Sequence, residues 1–148
     1  IAHANYVDDG DVALIAESGA GVAYCPRTHA AFGHPPHRFT DMLAAGINVC
    51  LGTDSMASNP SLSILDELRR LAQDRPEVGA HRLVKMATMN GAAALGFADV
   101  AGSLAVGREM DAVVVANRAS SESWDDILAQ ASSPIAVLRA GQVLSPTT

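Results

Sequence analysis

The side chains of this chain with the types and spacing for chemistry are His3, the histidines His29, His34 and His37, Asp54, and the thiols Cys25 and Cys50. Asp54 follows Leu51-Gly52-Thr53 and precedes Ser55-Met56-Ala57-Ser58-Asn59. A carboxylate so placed can bind a metal ion, act as a general base, or cap the loop that follows. His3 can ligate, move a proton, or sit hydrogen-bonded in a core. The three later histidines are spaced by five and three residues, which is compatible with metal binding. Pro35 and Pro36 make that stretch an extended loop, so solvated or substrate-facing roles fit equally well. His81 opens a helical stretch and reads as a surface residue. Two cysteines are too few for a zinc site of their own. They read as buried free thiols of a reducing compartment, and the expected location is cytoplasmic.

The elements that must position these groups alternate. Ile1 to Ala4 is a short apolar strand end. A helix is expected over Asp11 to Ser18, with Val12, Leu14, Ile15 and Ala16 apolar and Asp8, Asp9 or Asp11 as caps. Gly19 to Gly21 stops it, and Val22 to Cys25 is the next strand, ended by Pro26. A loop is expected from there to His37. Phe39, Met42, Leu43 and Ala44 mark a short helix closed by Gly46. Ile47 to Leu51 is a third strand, ended by Gly52-Thr53-Asp54. A helix from about Ser61 to Gln73 carries Leu62, Ile64, Leu65, Leu68 and Leu71, with Asn59 or Ser61 as its cap. This βα alternation implies parallel strands with right-handed crossovers, in a doubly wound sheet or a (β/α)8 barrel. In either, functional groups gather at the C-terminal strand ends. Those ends deliver His3, the segment from Cys25 to His37, and Asp54 to one face.

Farther along, Ala80 to Met89 is helical and Ala92 to Leu95 continues it past Gly91. After Gly102 and Gly107 the character changes. Asp111 to Ala116 reads as a strand, Ser123 to Ala131 as a short helix, and Ile135 to Leu144 as a strand pair turning at Gly141-Gln142. The 148 residues are 49% hydrophobic and 18% charged with net charge -6. That suits one domain burying roughly 70% of its unfolded surface and excludes intrinsic disorder. No apolar run is long enough for a transmembrane helix. The scattered, net acidic charge offers no footprint for nucleic acid. Phosphate-loop, dinucleotide-fingerprint, His-Glu-x-x-His and Gly-x-Ser-x-Gly motifs are all absent.

Several segments together resemble the amidohydrolase superfamily, and more closely its metal-dependent deaminase and chlorohydrolase branch. They are Ala2-His3-Ala4-Asn5 followed by Asp9 to Gly19, Cys25-Pro26-Arg27-Thr28-His29, Gly46 to Asn59 with its Gly-Thr-Asp-Ser core, Met86-Ala87-Thr88-Met89-Asn90-Gly91-Ala92, and Gly102 to Asp111. The resemblance runs the length of the chain in the right order. It implies an α/β fold: the C-terminal βα units of a (β/α)8 barrel, strands six to eight, over residues 1–107. Residues 108–148 would be the C-terminal segment of a small β-sandwich domain.

On that template Asp54 matches the metal-binding aspartate that also shuttles protons, and His3 the strand-six histidine that bonds the attacking water or the substrate. Arg27, His29 and Ser58 are the substrate-facing candidates. The implied activity is hydrolytic deamination of a purine-like or other nitrogen heterocycle at one divalent metal ion, zinc, with iron as the alternative. The implied partner is a small-molecule substrate, and a homo-oligomer is compatible with the pattern.

Two departures bear on this reading. The family's strand-one His-x-His pair and strand-five histidine have no counterpart here, and the opening at Ile1 inside a structural element reads as that of a fragment. One ligand cannot hold a catalytic metal, and missing barrel strands leave open edges. The competing expectation is therefore a non-catalytic remnant that works, if at all, with a partner chain. Second, Thr28-His29 stands where the family often has Ser-Asn, and the Cys25-Pro26-Arg27 start with histidine-rich sequence after it more closely resembles aminofutalosine deaminases of menaquinone synthesis.

Overall fold

The computed structural model describes residues 1–116, 123–129 and 133–144. Asp8 caps α1 (Asp9–Ser18) in a reciprocal box with Asp11, and Gly19 closes it in the left-handed conformation (φ 69°). The helix buries Val12 and packs Ile15 and Ala16 against the core. Leu14, counted with them in the sequence, is 65% exposed because it lies off the i, i+3, i+4 stripe. β1 (Val22–Tyr24) follows.

The expected loop beyond β1 is instead a helix, α2 (Pro26–Ala31). Pro26 ends the strand but also starts this helix, since a proline at the first helical position lacks only an N–H that would have no partner there. Beyond it come α3 (Phe39–Ala44) and β2 (Val49–Leu51). β1 and β2 pair in parallel, Val22 opposite Val49 and Tyr24 opposite Leu51. Ala2 bridges Ala23 in parallel from the other side, with His3 N–H donating to Ala23 O at 2.9 Å. The parallel arrangement expected from the sequence is present, and its C-terminal ends face one way.

α4 (Ile64–Asp74) is capped by Ser63, whose hydroxyl accepts from the Asp66 N–H, so neither Asn59 nor Ser61 has that role. Leu62 lies outside the helix and is exposed. α5 (Ala80–Ala87) and α6 (Met89–Ala94) are separated at Thr88 (φ -128°, ψ -87°), where the sequence pattern predicts a helix to Met89. Phe39, Met42, Val22, Val49, Leu71, Leu83 and Met86 are all buried to 2% exposure or less and form the centre of the core. Each such side chain contributes about 1.5–3 kcal/mol by leaving water.

The Asn48 amide donates to Asn90 O at 3.0 Å and the Asn90 amide donates to Val49 O at 2.8 Å, fastening α6 to the start of β2. Gly102 (φ +88°) lies so close to α6 that a Cβ there would come within 2.7 Å of Ala92 Cβ.

The last part is a different unit. β3 (Ala112–Val115), β4 (Pro134–Arg139) and β5 (Gln142–Leu144) form an antiparallel sheet in that order. The expected strand pair is there, turning at Ala140-Gly141, while residues 130–131 of the expected helix lie outside the described residues. α7 (Trp124–Ala129) joins the main core through Leu128, against α4 and α5. Among the described residues no helix is long and apolar enough to cross a membrane.

Candidate active site

His3 and Asp54 leave the two strands that flank β1, and both have left-handed backbones, φ 65° and 56°. That region disfavours most L-residues but is entered several-fold more often by Asn, Asp and His. The two side chains converge: His3 Nε2 lies 4.0 Å from Asp54 Oδ2, with 39% and 33% of the side chains exposed. The separation is too long for a hydrogen bond. A water or substrate atom between them would touch both, and each is open enough to be reached.

Asp54 is held from one side. Ser58 Oγ donates to its Oδ2 at 3.2 Å, and Ser58 is in turn 3.0 Å from Thr28 Oγ1. Below the site, a Cβ at Gly52 would sit 3.1 Å from Cys25 Sγ, so a larger residue at this strand end would press on the thiol. The Cys25 thiol is pushed up to about 11, first by burial and then by the Asp54 charge. It remains protonated at neutral pH and is no nucleophile. Both cysteines are buried free thiols, as expected.

The histidines expected on a solvated loop are partly built into the fold. His37 is 5% exposed, stacks on Tyr24 with ring centroids 4.0 Å apart, and donates from Nε2 to His3 O at 2.6 Å. It therefore ties down the strained backbone of His3. His29 donates from Nδ1 to Asn5 Oδ1 at 3.0 Å, and His34 Nδ1 is hydrogen-bonded to Tyr6 Oη at 2.6 Å. His81 is exposed, as expected.

The substrate-facing candidates separate. Arg27 and Ser58 line one open depression of about 510 Å³, with Pro60 and Arg70. His29 lines another of about 280 Å³, with Tyr24, His34 and His37. The Arg27 guanidinium already donates to Ser61 Oγ at 2.9 Å and lies 3.6 Å from Asp66 Oδ2.

Burial lowers the pKa of His37 below its ordinary 6.5, and that of His29 likewise. The unfolded chain then binds more protons than the folded one as pH falls below about 6.5, so stability is lost in that direction. Urea unfolding at pH 7.5 and 5.5 should show a smaller pH dependence in His37→Gln than in the parent chain. An equal dependence would remove His37 as its source.

Two residues near the site escaped the sequence reading of function. Glu67 is fully buried, and Asn59, read only as a cap, is 2% exposed and donates to it. The available signal was an acidic residue at position 67 within the apolar stripe of Ile64, Leu68 and Leu71.

The sequence profile of the amidohydrolase family matches residues 1–145. The chain belongs to the amidohydrolase family. A 5-methylthioadenosine/S-adenosylhomocysteine deaminase of Haloarcula marismortui is 39% identical over 122 residues, which is 78% of this chain and 28% of that protein. An adenosine deaminase from Xanthomonas campestris, solved with bound zinc, superposes with a TM-score of 0.86 at 27% identity, over 96% of this chain and 36% of that one. The zinc complex of an atrazine chlorohydrolase from Arthrobacter aurescens gives 0.82 at 28% identity, over 97% and 35%. This amidohydrolase-family chain thus has the α/β fold of its relatives and spans just over a quarter of the length of the curated relatives it matches.

Proposed function

We propose that this chain supplies strands six to eight and the flanking helices of a (β/α)8 hydrolytic deaminase, with residues 1–107 in the barrel and 108–148 in a small β-domain. The substrate class is a purine-like heterocycle, by similarity to relatives named for adenosine derivatives. The observation that carries this reading is the convergence of His3 and Asp54, 4.0 Å apart, at parallel strand ends.

In that role Asp54 takes a proton from the attacking water and returns it to the departing nitrogen. His3 donates a hydrogen bond to the oxygen or ring nitrogen where charge develops. Ser58 keeps the Asp54 carboxylate in one orientation, while Arg27 and His29 flank the approach of the substrate.

Asp54 is also assigned toward a divalent metal, zinc by preference. Among the described residues, however, no group of three His, Cys, Asp or Glu side chains is placed to hold a metal ion. One carboxylate does not make a zinc site, and no step above is routed through a metal. This shortfall also favours a second reading, in which the chain is inactive unless another polypeptide completes the site.

The two readings are separated by measuring ammonia release from a panel of adenosine-type nucleosides. The native-length protein from its source cells is expected to release ammonia, and the isolated 148-residue chain is not. No release from any member of the panel by the native-length protein would overturn the deaminase reading.

A further inference from the structure

We infer that Glu67 is a positioning residue that holds Asp54 in place, an inference that rests on the catalytic reading of Asp54 above. Glu67 is on the apolar stripe of α4, 0% exposed. A carboxylate there is costly unless its oxygens are occupied, and an apolar side chain of similar size would suit the packing better. Both oxygens are in fact occupied, one by the first turn of α2 and the other by the loop after β2. Oε2 accepts the backbone N–H of Arg27 at 2.9 Å, in the segment directly after β1. Oε1 accepts from the Asn59 amide, in the loop after β2.

The same Asn59 amide donates to Thr53 O at 2.8 Å, one residue before Asp54. From the β1 side, Thr28 bonds Ser58 at 3.0 Å and Ser58 donates to Asp54 Oδ2 at 3.2 Å. Thr28 Oγ1 also lies 3.4 Å from Thr53 O, to which it can donate. Two chains of hydrogen bonds therefore run from Glu67 to Asp54. One reaches its backbone through Asn59 and Thr53, and the other reaches its carboxylate through the Arg27-Thr28 turn and Ser58. With φ at 56°, Asp54 needs such support to hold its conformation. Glutamate fits position 67 because two donors need two acceptor oxygens, whereas glutamine offers one and leucine none, and because the Arg27 guanidinium, 3.9 Å from Oε1, balances its charge.

The test uses the native-length protein with Glu67→Gln, and the pair Glu67→Gln with Asn59→Asp. In the pair, a glutamine amide can again donate to residue 59, but aspartate has no hydrogen for Thr53 O. Hydrogen exchange of residues 53–59 is expected to rise about tenfold in Glu67→Gln, the worth of one lost hydrogen bond. β1 and β2 should remain unchanged. In the pair, melting temperature should recover while exchange over 53–59 stays high. Turnover in both should fall about 100-fold at nearly constant KM, as for a displaced catalytic group.

Unchanged exchange over 53–59 in Glu67→Gln would overturn the inference. So would joint recovery of stability and exchange in the pair, which marks a purely structural role. If Asp54→Asn leaves turnover intact, the catalytic reading fails by itself, and the exchange data still decide whether Glu67 holds this segment.

Discussion

Asp54→Asn in the native-length protein is expected to lower turnover roughly 10²–10⁴-fold, the usual worth of a general acid–base group. The substitution is clean for a structural reason. Asparagine enters the left-handed region as readily as aspartate, so the φ of 56° at this position is kept. Its amide oxygen can still accept from Ser58, which now donates to Asp54 at 3.2 Å. The loss falls on proton transfer and on charge, while the loop is retained. Initial rates at saturating nucleoside, with unfolding in urea as the control for the fold, measure it. Near-normal turnover would sink the assignment of Asp54 as base.

Phe39→Ala is expected to have the largest effect on stability, about 3–5 kcal/mol. Phe39 is 1% exposed and its ring lies 5.3 Å from that of Tyr24 in a stacked arrangement. The Arg75 guanidinium lies 5.0 Å from the ring centroid on a cation–π contact. Truncation removes a large apolar surface, one aromatic pair and that cation contact together. Tyr24 also stacks on His37, whose ring centroid is 6.3 Å from that of Phe39 and whose Nε2–H holds the His3 carbonyl, so the cavity would open near the support of the site. Equilibrium urea unfolding measures the loss, and Phe32→Ala serves as the comparison. Phe32 is 64% exposed and should change stability by less than about 0.5 kcal/mol. A difference of under 1 kcal/mol between the two variants would contradict the packing described above.

The parallel strands and α1, α3 and α5 were legible because glycine, proline and short apolar runs punctuate them. The face shared by His3 and Asp54 followed from parallel topology alone. Their left-handed backbones and their approach to 4.0 Å did not, because contact across an intervening strand depends on tertiary packing that no local pattern encodes. Pro26 illustrates a different limit: proline both terminates a strand and initiates a helix, and only the hydrogen-bond geometry beyond it decides. The proline neighbours of His37 mark a loop with a solvated or substrate-facing histidine; the loop is there, but stacking on Tyr24 buries the ring. Glu67 is hidden because its residue type points to the exposed face of a helix, while its spacing from Ile64 and Leu71 puts it on the buried one. Its partners, Arg27 in the first turn of α2 and Asn59 in the loop after β2, are brought together only by the fold.

The conformation at position 54 also bears on how this chain can change over generations. Asparagine, glycine and histidine, all reachable from an aspartate codon by one nucleotide change, are among the residues a left-handed backbone accepts most readily. A lineage released from selection for activity would therefore drift through them with little cost to the fold. The same backbone resists valine or isoleucine, for which such a φ is a genuine outlier. Loss of the carboxylate can thus pass without trace in expression or solubility. In a set of descendants, the identity of residue 54 would report lost chemistry well before stability did.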